Sequence, residues 1–166
     1  AFLTVGIGAS AGGIEACSEL LQALPTDAGA AFVIIQHLAA DGPSMLNQVL
    51  ARRTDLSVVE AEENQAVQPN CVYVIPPNTT LTIADGRLQL APRPAEREPF
   101  FPIDAFFESL AEDAANQAAG VVLSGLDGDG AEGLRLIKRL GGITFAQTED
   151  TAQFSGMPIR QLRRGR

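Results

Sequence analysis

A glycine-rich segment near the start of the chain most constrains the fold. Val5–Gly13 reads Val-Gly-Ile-Gly-Ala-Ser-Ala-Gly-Gly and follows an apolar run that predicts a buried strand. A helix is predicted next by four apolar residues at helical spacing, Ile14, Cys17, Leu21 and Leu24. The segment is therefore predicted to be a tight strand-to-helix turn. Its glycines allow the bend, and the backbone N–H groups at the helix start point outward.

The turn contains one hydroxyl, that of Ser10, and three hypotheses fit it. Serine is a favoured N-cap of a helix. Gly6, Gly8 and Ala11 match the dinucleotide-binding fingerprint with alanine in third place. A hydroxyl at a helix start would also serve as a nucleophile, because the same N–H groups stabilise an oxyanion. The turn alone does not choose among the three.

Strand and helix patterns alternate along the rest of the chain. Continuous apolar runs predict buried strands at 30–36 and 118–123. Shorter strands are predicted at 56–60, 71–75 and 143–146. Helices are predicted at about 44–53, at about 105–116 with Asp104 as its cap, and after residue 130. Alternating runs at 80–83 and 87–90 around an Asp-Gly turn predict a hairpin. We therefore predict an α/β fold: a doubly wound, mostly parallel sheet with helices on both faces and an added β-hairpin.

Composition bounds the function. The 166 residues are predicted to form a single domain, 1–166. A net charge of −8 argues against nucleic-acid binding, which needs a basic face. No apolar run is long enough for a membrane span, so no membrane insertion is expected. The two cysteines lack metal-ligand or disulfide spacing, which predicts a reducing compartment, no metal and no disulfide.

Polar side chains follow three of the predicted strands. Ser10 follows the first, His37 the second, and Asp127 and Asp129 the strand at 118–123. Functional groups gather at the carboxyl ends of parallel strands, so a hydroxyl, an imidazole and a carboxylate are expected at one edge. Each also has a structural alternative, as a cap, a hydrogen-bonded histidine or a turn residue. The dinucleotide hypothesis is weaker here, because Gln36 stands where an acidic residue would bind ribose.

Five segments in order resemble the catalytic domain of the chemotaxis protein-glutamate methylesterases (CheB type). They are Gly8–Gly13, Gln36-His37, Tyr73–Asn78, Gly125–Ala131 and Phe154–Pro158. The resemblance implies a doubly wound α/β domain of a bacterial, cytoplasmic enzyme without a cofactor. It also implies hydrolysis of glutamyl methyl esters on chemoreceptor cytoplasmic helices, with release of methanol and a secondary glutamine deamidase activity.

The resemblance assigns the site by position. Ser10 is the nucleophile, His37 the base, and the acid is Asp129 rather than Asp127. The candidate oxyanion donors are the backbone N–H groups of Ala11, Gly12 and Leu126.

The chain also departs from the family pattern. Ala11 stands where the family commonly has threonine, no receiver domain is expected within these 166 residues, and the sequence diverges after Pro158, as a truncated end would. The expected partner is the methylated chemoreceptor, together with a receiver or methyltransferase module of the parent protein. Two alternatives stay open: a catalytically degenerate domain that binds a receptor or methyltransferase, and a dinucleotide-binding domain.

Overall fold

A computed structural model of the chain describes residues 1–9, 13–36, 46–95, 99–123 and 128–147. The strands are β1 Thr4–Ala9, β2 Ala31–Gln36, β3 Ser57–Glu60, β4 Cys71–Val74, β5 Thr79–Ala84, β6 Arg87–Pro92, β7 Ala118–Val122 and β8 Ile143–Ala146. The α-helices are α1 Gly13–Ala23, α2 Leu46–Ala51, α3 Pro102–Ala114 and α4 Ala131–Arg139, and a 3₁₀ turn spans Ala115–Gln117. No helix within these ranges is long and apolar enough to cross a membrane.

Six strands form one parallel sheet in the order β3-β4-β2-β1-β7-β8. β5 and β6 pair antiparallel as a separate hairpin. The chain starts in the middle of the sheet, builds one side through β2, β3 and β4, and then the other through β7 and β8. Such a reversal between β1 and β7 opens a crevice at the carboxyl ends of the strands. The predicted sheet and hairpin are confirmed.

Two hydrophobic cores cover the two faces of this sheet, so the prediction of helices on both faces is also confirmed. One core joins α3, α4 and the hairpin to the sheet, with Phe106, Phe107 and Leu110 fully buried. The other joins α1 and α2 to the opposite face, around Leu21, Leu50 and other apolar side chains.

The first two glycines of the N-terminal segment lie inside β1 and not in the turn, which corrects the prediction. A Cβ atom on Gly8 would come within 2.5 Å of Cγ2 of Ile103, and one on Gly6 within 2.8 Å of Cε1 of Phe107. These glycines therefore let α3 approach the central strand, as close backbone packing requires. The spacing that suggested a phosphate-binding turn is explained by this packing.

Several element boundaries and faces differ from the predictions. Cys17 and Leu21 are buried in α1 as predicted, but Ile14 is 46% exposed. α2 occupies only Leu46–Ala51 of the predicted helix, and α3 begins at Pro102 instead of near 105. α4 ends at Arg139, and Leu140, which follows it, is 41% exposed.

Candidate active site

The strands that precede the three predicted site loops lie side by side. Ala9, the last residue of β1, is paired with Gln36, the last residue of β2. Gly8 is paired with Val122 of β7, and the N–H of Leu123 donates to the carbonyl oxygen of Gly8 at 2.9 Å. Neighbouring strands are about 4.8 Å apart. The chain therefore leaves β1, β2 and β7 at one short stretch of the same edge.

Of the predicted site residues, the structure describes Asp129. The others lie outside the described residues: Ser10, Ala11, Gly12, His37, Leu126 and the alternative acid Asp127. Their predicted roles are taken up below as proposals.

Asp129 is held at the start of α3. Its side chain is buried, with 1% exposure. Oδ2 accepts a hydrogen bond from the N–H of Ile103 at 2.9 Å, and Oδ1 accepts one from the N–H of Asp104 at 2.8 Å. A carboxylate is favoured there because the first N–H groups of a helix lack intrahelical partners and carry partial positive charge. Both oxygens are thus fixed by backbone groups that do not rotate.

The binding of Asp129 by the start of α3 was not predicted from the sequence. Phe101, the N-cap residue, forms no side-chain cap, and Pro102 opens the helix. A helix that starts without its own capping side chain needs an acceptor from elsewhere. The missing capping side chain is visible in the sequence and indicates that an acceptor must come from another part of the chain. It does not indicate that this acceptor is Asp129.

Asp104 was predicted to cap its own helix, α3. Instead it caps α4. Its Oδ1 accepts a hydrogen bond from the N–H of Gly133 at 2.8 Å. Gly130, the N-cap of α4, has no side chain to offer. Each of the two aspartates thus caps the other's helix: Asp129, two residues before α4, caps α3, and Asp104, in the first turn of α3, caps α4. The exchange fixes the two helix starts relative to each other.

Gly130 is required by this arrangement for two reasons. Its φ of +100° lies in the left-handed region that disfavours other residues. A Cβ atom there would also come within 2.9 Å of Cγ2 of Ile103. Any side chain would therefore press on the residue whose N–H holds Asp129.

The surroundings of Asp104 disfavour the ionised form of its carboxyl group. Burial, followed by the nearby charges of Asp129 and Glu108, raises its pKa to about 6, although the N–H groups of Gly133 and Gly130 oppose the shift. The folded protein therefore binds a proton at Asp104 more tightly than the unfolded chain does. The contribution of this group to stability is highest below its ordinary pKa of 3.8 and declines as the pH rises to about 6.

Asp104→Asn is expected to raise thermal stability relative to the wild type at about pH 8 and to leave it nearly unchanged at about pH 3.5. Asparagine keeps the acceptor for Gly133 and removes the charge. Melting temperatures of both proteins across this range measure the effect. Glu19→Gln, on an exposed position of α1, is the control and should show no such pH-dependent gain. A gain that does not vary with pH would contradict the assignment.

The start of α1 packs on the ends of β1 and β2. Gly13 opens the helix, and a Cβ atom there would collide with the side-chain oxygen of Gln36 and with the methyl group of Ala9. Gln36 is itself buried, with 6% exposure. The end of β2 therefore presents an amide where a dinucleotide site would present a carboxylate.

Cys17 offers no competing nucleophile. It lies in the core beneath α1 with 1% exposure. Burial raises the pKa of its thiol to about 12, so the thiolate is scarce at neutral pH.

Comparison with known proteins points to one family. A sequence model described as CheB methylesterase matches residues 5–166. The putative protein-glutamate methylesterase/protein-glutamine glutaminase of Leptospira interrogans is 36% identical over 92% of this chain and 79% of the relative. Protein-glutamate methylesterase/protein-glutamine glutaminase 1 of Myxococcus xanthus is 35% identical over 98% of this chain, which spans 48% of that relative. The crystal structure of the Thermotoga maritima CheB methylesterase catalytic domain superposes with a TM-score of 0.88 at 27% identity, covering 99% of this chain and 89% of that one.

Proposed function

The chain belongs to the CheB methylesterase family, and from this premise we propose that it hydrolyses glutamyl methyl esters on the cytoplasmic helices of chemoreceptors. Methanol is the second product, and glutamine side chains of the same substrates are deamidated. The names of the Leptospira and Myxococcus relatives, which pair a methylesterase with a glutaminase, support both activities. The enzyme acts in the cytoplasm on methylated receptors, alone or beside a receiver or methyltransferase module.

The pairing of Ala9 with Gln36 carries this proposal. Ser10 directly follows one of these residues and His37 the other. Because paired positions on neighbouring strands are about 4.8 Å apart, we expect a hydroxyl and an imidazole that start one residue further along to come within reach of each other. The loop that carries Asp129 leaves the adjacent strand, β7, on the other side of β1.

The mechanism assigns one role to each side chain. Ser10 attacks the ester carbonyl, and His37 accepts its proton and delivers it to the departing methanol. Asp129 orients His37 and stabilises the imidazolium. Water then attacks the acyl-Ser10 intermediate with His37 as the base and releases the glutamate carboxylate. The N–H groups of three residues are the candidate oxyanion donors: Ala11, Gly12 and Leu126.

The fixed carboxylate of Asp129 fits this role. An acid that orients a histidine is useful only if its own position is defined, and two backbone N–H groups define both oxygens here. A further acid at the same edge, Asp104, already binds the start of α4.

Methanol release from a receptor peptide that contains a γ-methyl glutamate tests the proposal. We expect catalytic turnover by the wild-type protein and a mass increase of about one unit on the matching glutamine peptide, as deamidation requires. The degenerate-domain alternative predicts that the peptide binds without turnover. Binding with no methanol above the buffer rate would refute the proposed function.

A further inference from the structure

A small cleft opens beside the candidate active site, on the side that faces the hairpin. Gln36 at the end of β2 and Pro102 at the start of α3 form part of its wall. Gln36 directly precedes His37, and Pro102 directly precedes Ile103, whose N–H holds Asp129. The cleft therefore adjoins the end of β2 and the start of α3, the helix whose backbone holds Asp129.

Arg93 supplies the positive charge of this cleft. Its guanidinium carbon lies 4.6 Å from the centre of the Phe100 ring, and both side chains line the cleft. The backbone N–H of Arg93 donates to the carbonyl oxygen of Asn78 at 3.0 Å, which ties this part of the chain to the base of the hairpin. Stacking uses the flat face of the guanidinium and leaves the N–H groups along its edge for a ligand.

Within the described ranges no carboxylate forms an ion pair with Arg93. This is notable in a chain with 20 acidic and 12 basic residues and a net charge of −8. The protein as a whole repels anions, so a cation at the rim of the site creates a local preference for negative charge there.

The size of the cleft limits what it holds. Its volume is about 40 Å³, which is room for a carboxylate or for a few water molecules. Sites for whole cofactors or drug-sized ligands typically occupy roughly 300–1,000 Å³. The occupant is therefore the end of a side chain rather than a nucleotide.

We propose that this cleft binds a glutamate carboxylate of the protein substrate, near the residue that is hydrolysed, with Arg93 as its partner. The inference rests on the proposed function, since it takes the substrate to be a glutamate-bearing polypeptide. Guanidinium and carboxylate form paired, charge-assisted hydrogen bonds. On a substrate helix, residues three or four apart share a face, so a glutamate one turn from the ester reaches Arg93 while the ester occupies the active site. Arg93 determines specificity and takes no part in the chemistry.

Two labelled helical peptides test the inference by fluorescence anisotropy. Both carry methionine, an unreactive neutral residue, at the ester position. One has glutamates three and four residues away and the other has glutamines. We expect the wild type to prefer the acidic peptide, and Arg93→Gln to weaken its binding roughly ten- to a hundred-fold, as loss of a charged hydrogen-bonded pair does. Binding of the glutamine peptide should not change.

Matched variants separate charge recognition from a general effect. Arg87→Gln is the control, because Nη1 of Arg87 donates to the carbonyl oxygen of Asn64 and Arg87 does not line the cleft. It should alter binding of neither peptide. Arg93→Lys keeps the charge but loses the paired geometry, so we expect intermediate affinity for the acidic peptide.

Equal affinity of the wild type for the two peptides would overturn the inference, and so would equal weakening of both by Arg93→Gln. The affinities of the wild type for the two peptides test the inference even if Arg93→Gln fails to fold. The failures remain distinguishable because hydrolysis is measured separately. Turnover of the methyl ester without a preference for the acidic peptide refutes carboxylate binding in the cleft. An Arg93-dependent preference for the acidic peptide without turnover refutes the proposed esterase activity.

Discussion

Replacing Ser10 by alanine is expected to lower methanol release by roughly 10⁴-fold or more, as loss of a triad nucleophile does. The proposed reaction passes through an acyl-Ser10 ester, and alanine has no atom that can form it. Other residues of the site would remain, so a small residual rate from substrate binding and oxyanion stabilisation is expected. Initial rates with a γ-methyl glutamate peptide measure the effect, and thermal unfolding of Ser10→Ala should match the wild type.

Ser18→Ala is the matched control for this change. Ser18 is buried in α1, where its hydroxyl donates to the carbonyl oxygen of Ile14 at 2.7 Å, within the helix and away from the sheet edge. Removing that hydroxyl should leave the rate of hydrolysis near the wild-type value. Turnover by Ser10→Ala at the wild-type rate would end the nucleophile assignment.

Asp129→Asn is expected to lower both activity and stability. The rate should fall roughly 10³- to 10⁴-fold, because a neutral amide neither stabilises the imidazolium nor enforces the useful histidine tautomer. The free energy of unfolding should fall by about 1–3 kcal/mol. Only the amide oxygen can accept from the start of α3, so the amide NH₂ faces either the N–H of Ile103 or that of Asp104. Steady-state kinetics and urea unfolding of the same preparation measure the two effects.

Asp113→Asn distinguishes the catalytic effect from the structural one. The carboxylate of Asp113 also accepts two backbone N–H groups, from Asp85 at 2.6 Å and Gly86 at 3.0 Å, but at the turn of the hairpin. This variant should lose stability and keep its rate constant for hydrolysis. If Asp129→Asn and Asp113→Asn lowered the rate equally, the proposed role of Asp129 would be wrong.

The sequence alone determined the class of fold and most of its elements. Apolar runs such as Ala31–Gln36 are typical of strands buried on both faces of a parallel sheet. The Asp-Gly turn at Asp85 and Gly86 specified the hairpin, because local backbone preferences decide such a turn. The polar residues that follow three of the predicted strands, together with the family resemblance, identified the candidate site. The roles of Ser10, His37 and Asp129 stay predictions, and only Asp129 among them lies within the described residues.

Only the tertiary structure decided which residues, distant in sequence, cap these helices or pack against these strands. Asp104 lies in the first turn of α3 and was predicted to cap that helix, yet it caps α4, and Asp129 caps α3. Gly6 and Gly8 of β1 were predicted to lie in a turn because the residues they pack against, Phe107 and Ile103 of α3, lie far along the chain. Local patterns indicate that a helix start requires an acceptor or that a position tolerates no Cβ atom. Which distant residue meets that need depends on the packing of helices across the sheet, and that packing has no local signature in the sequence.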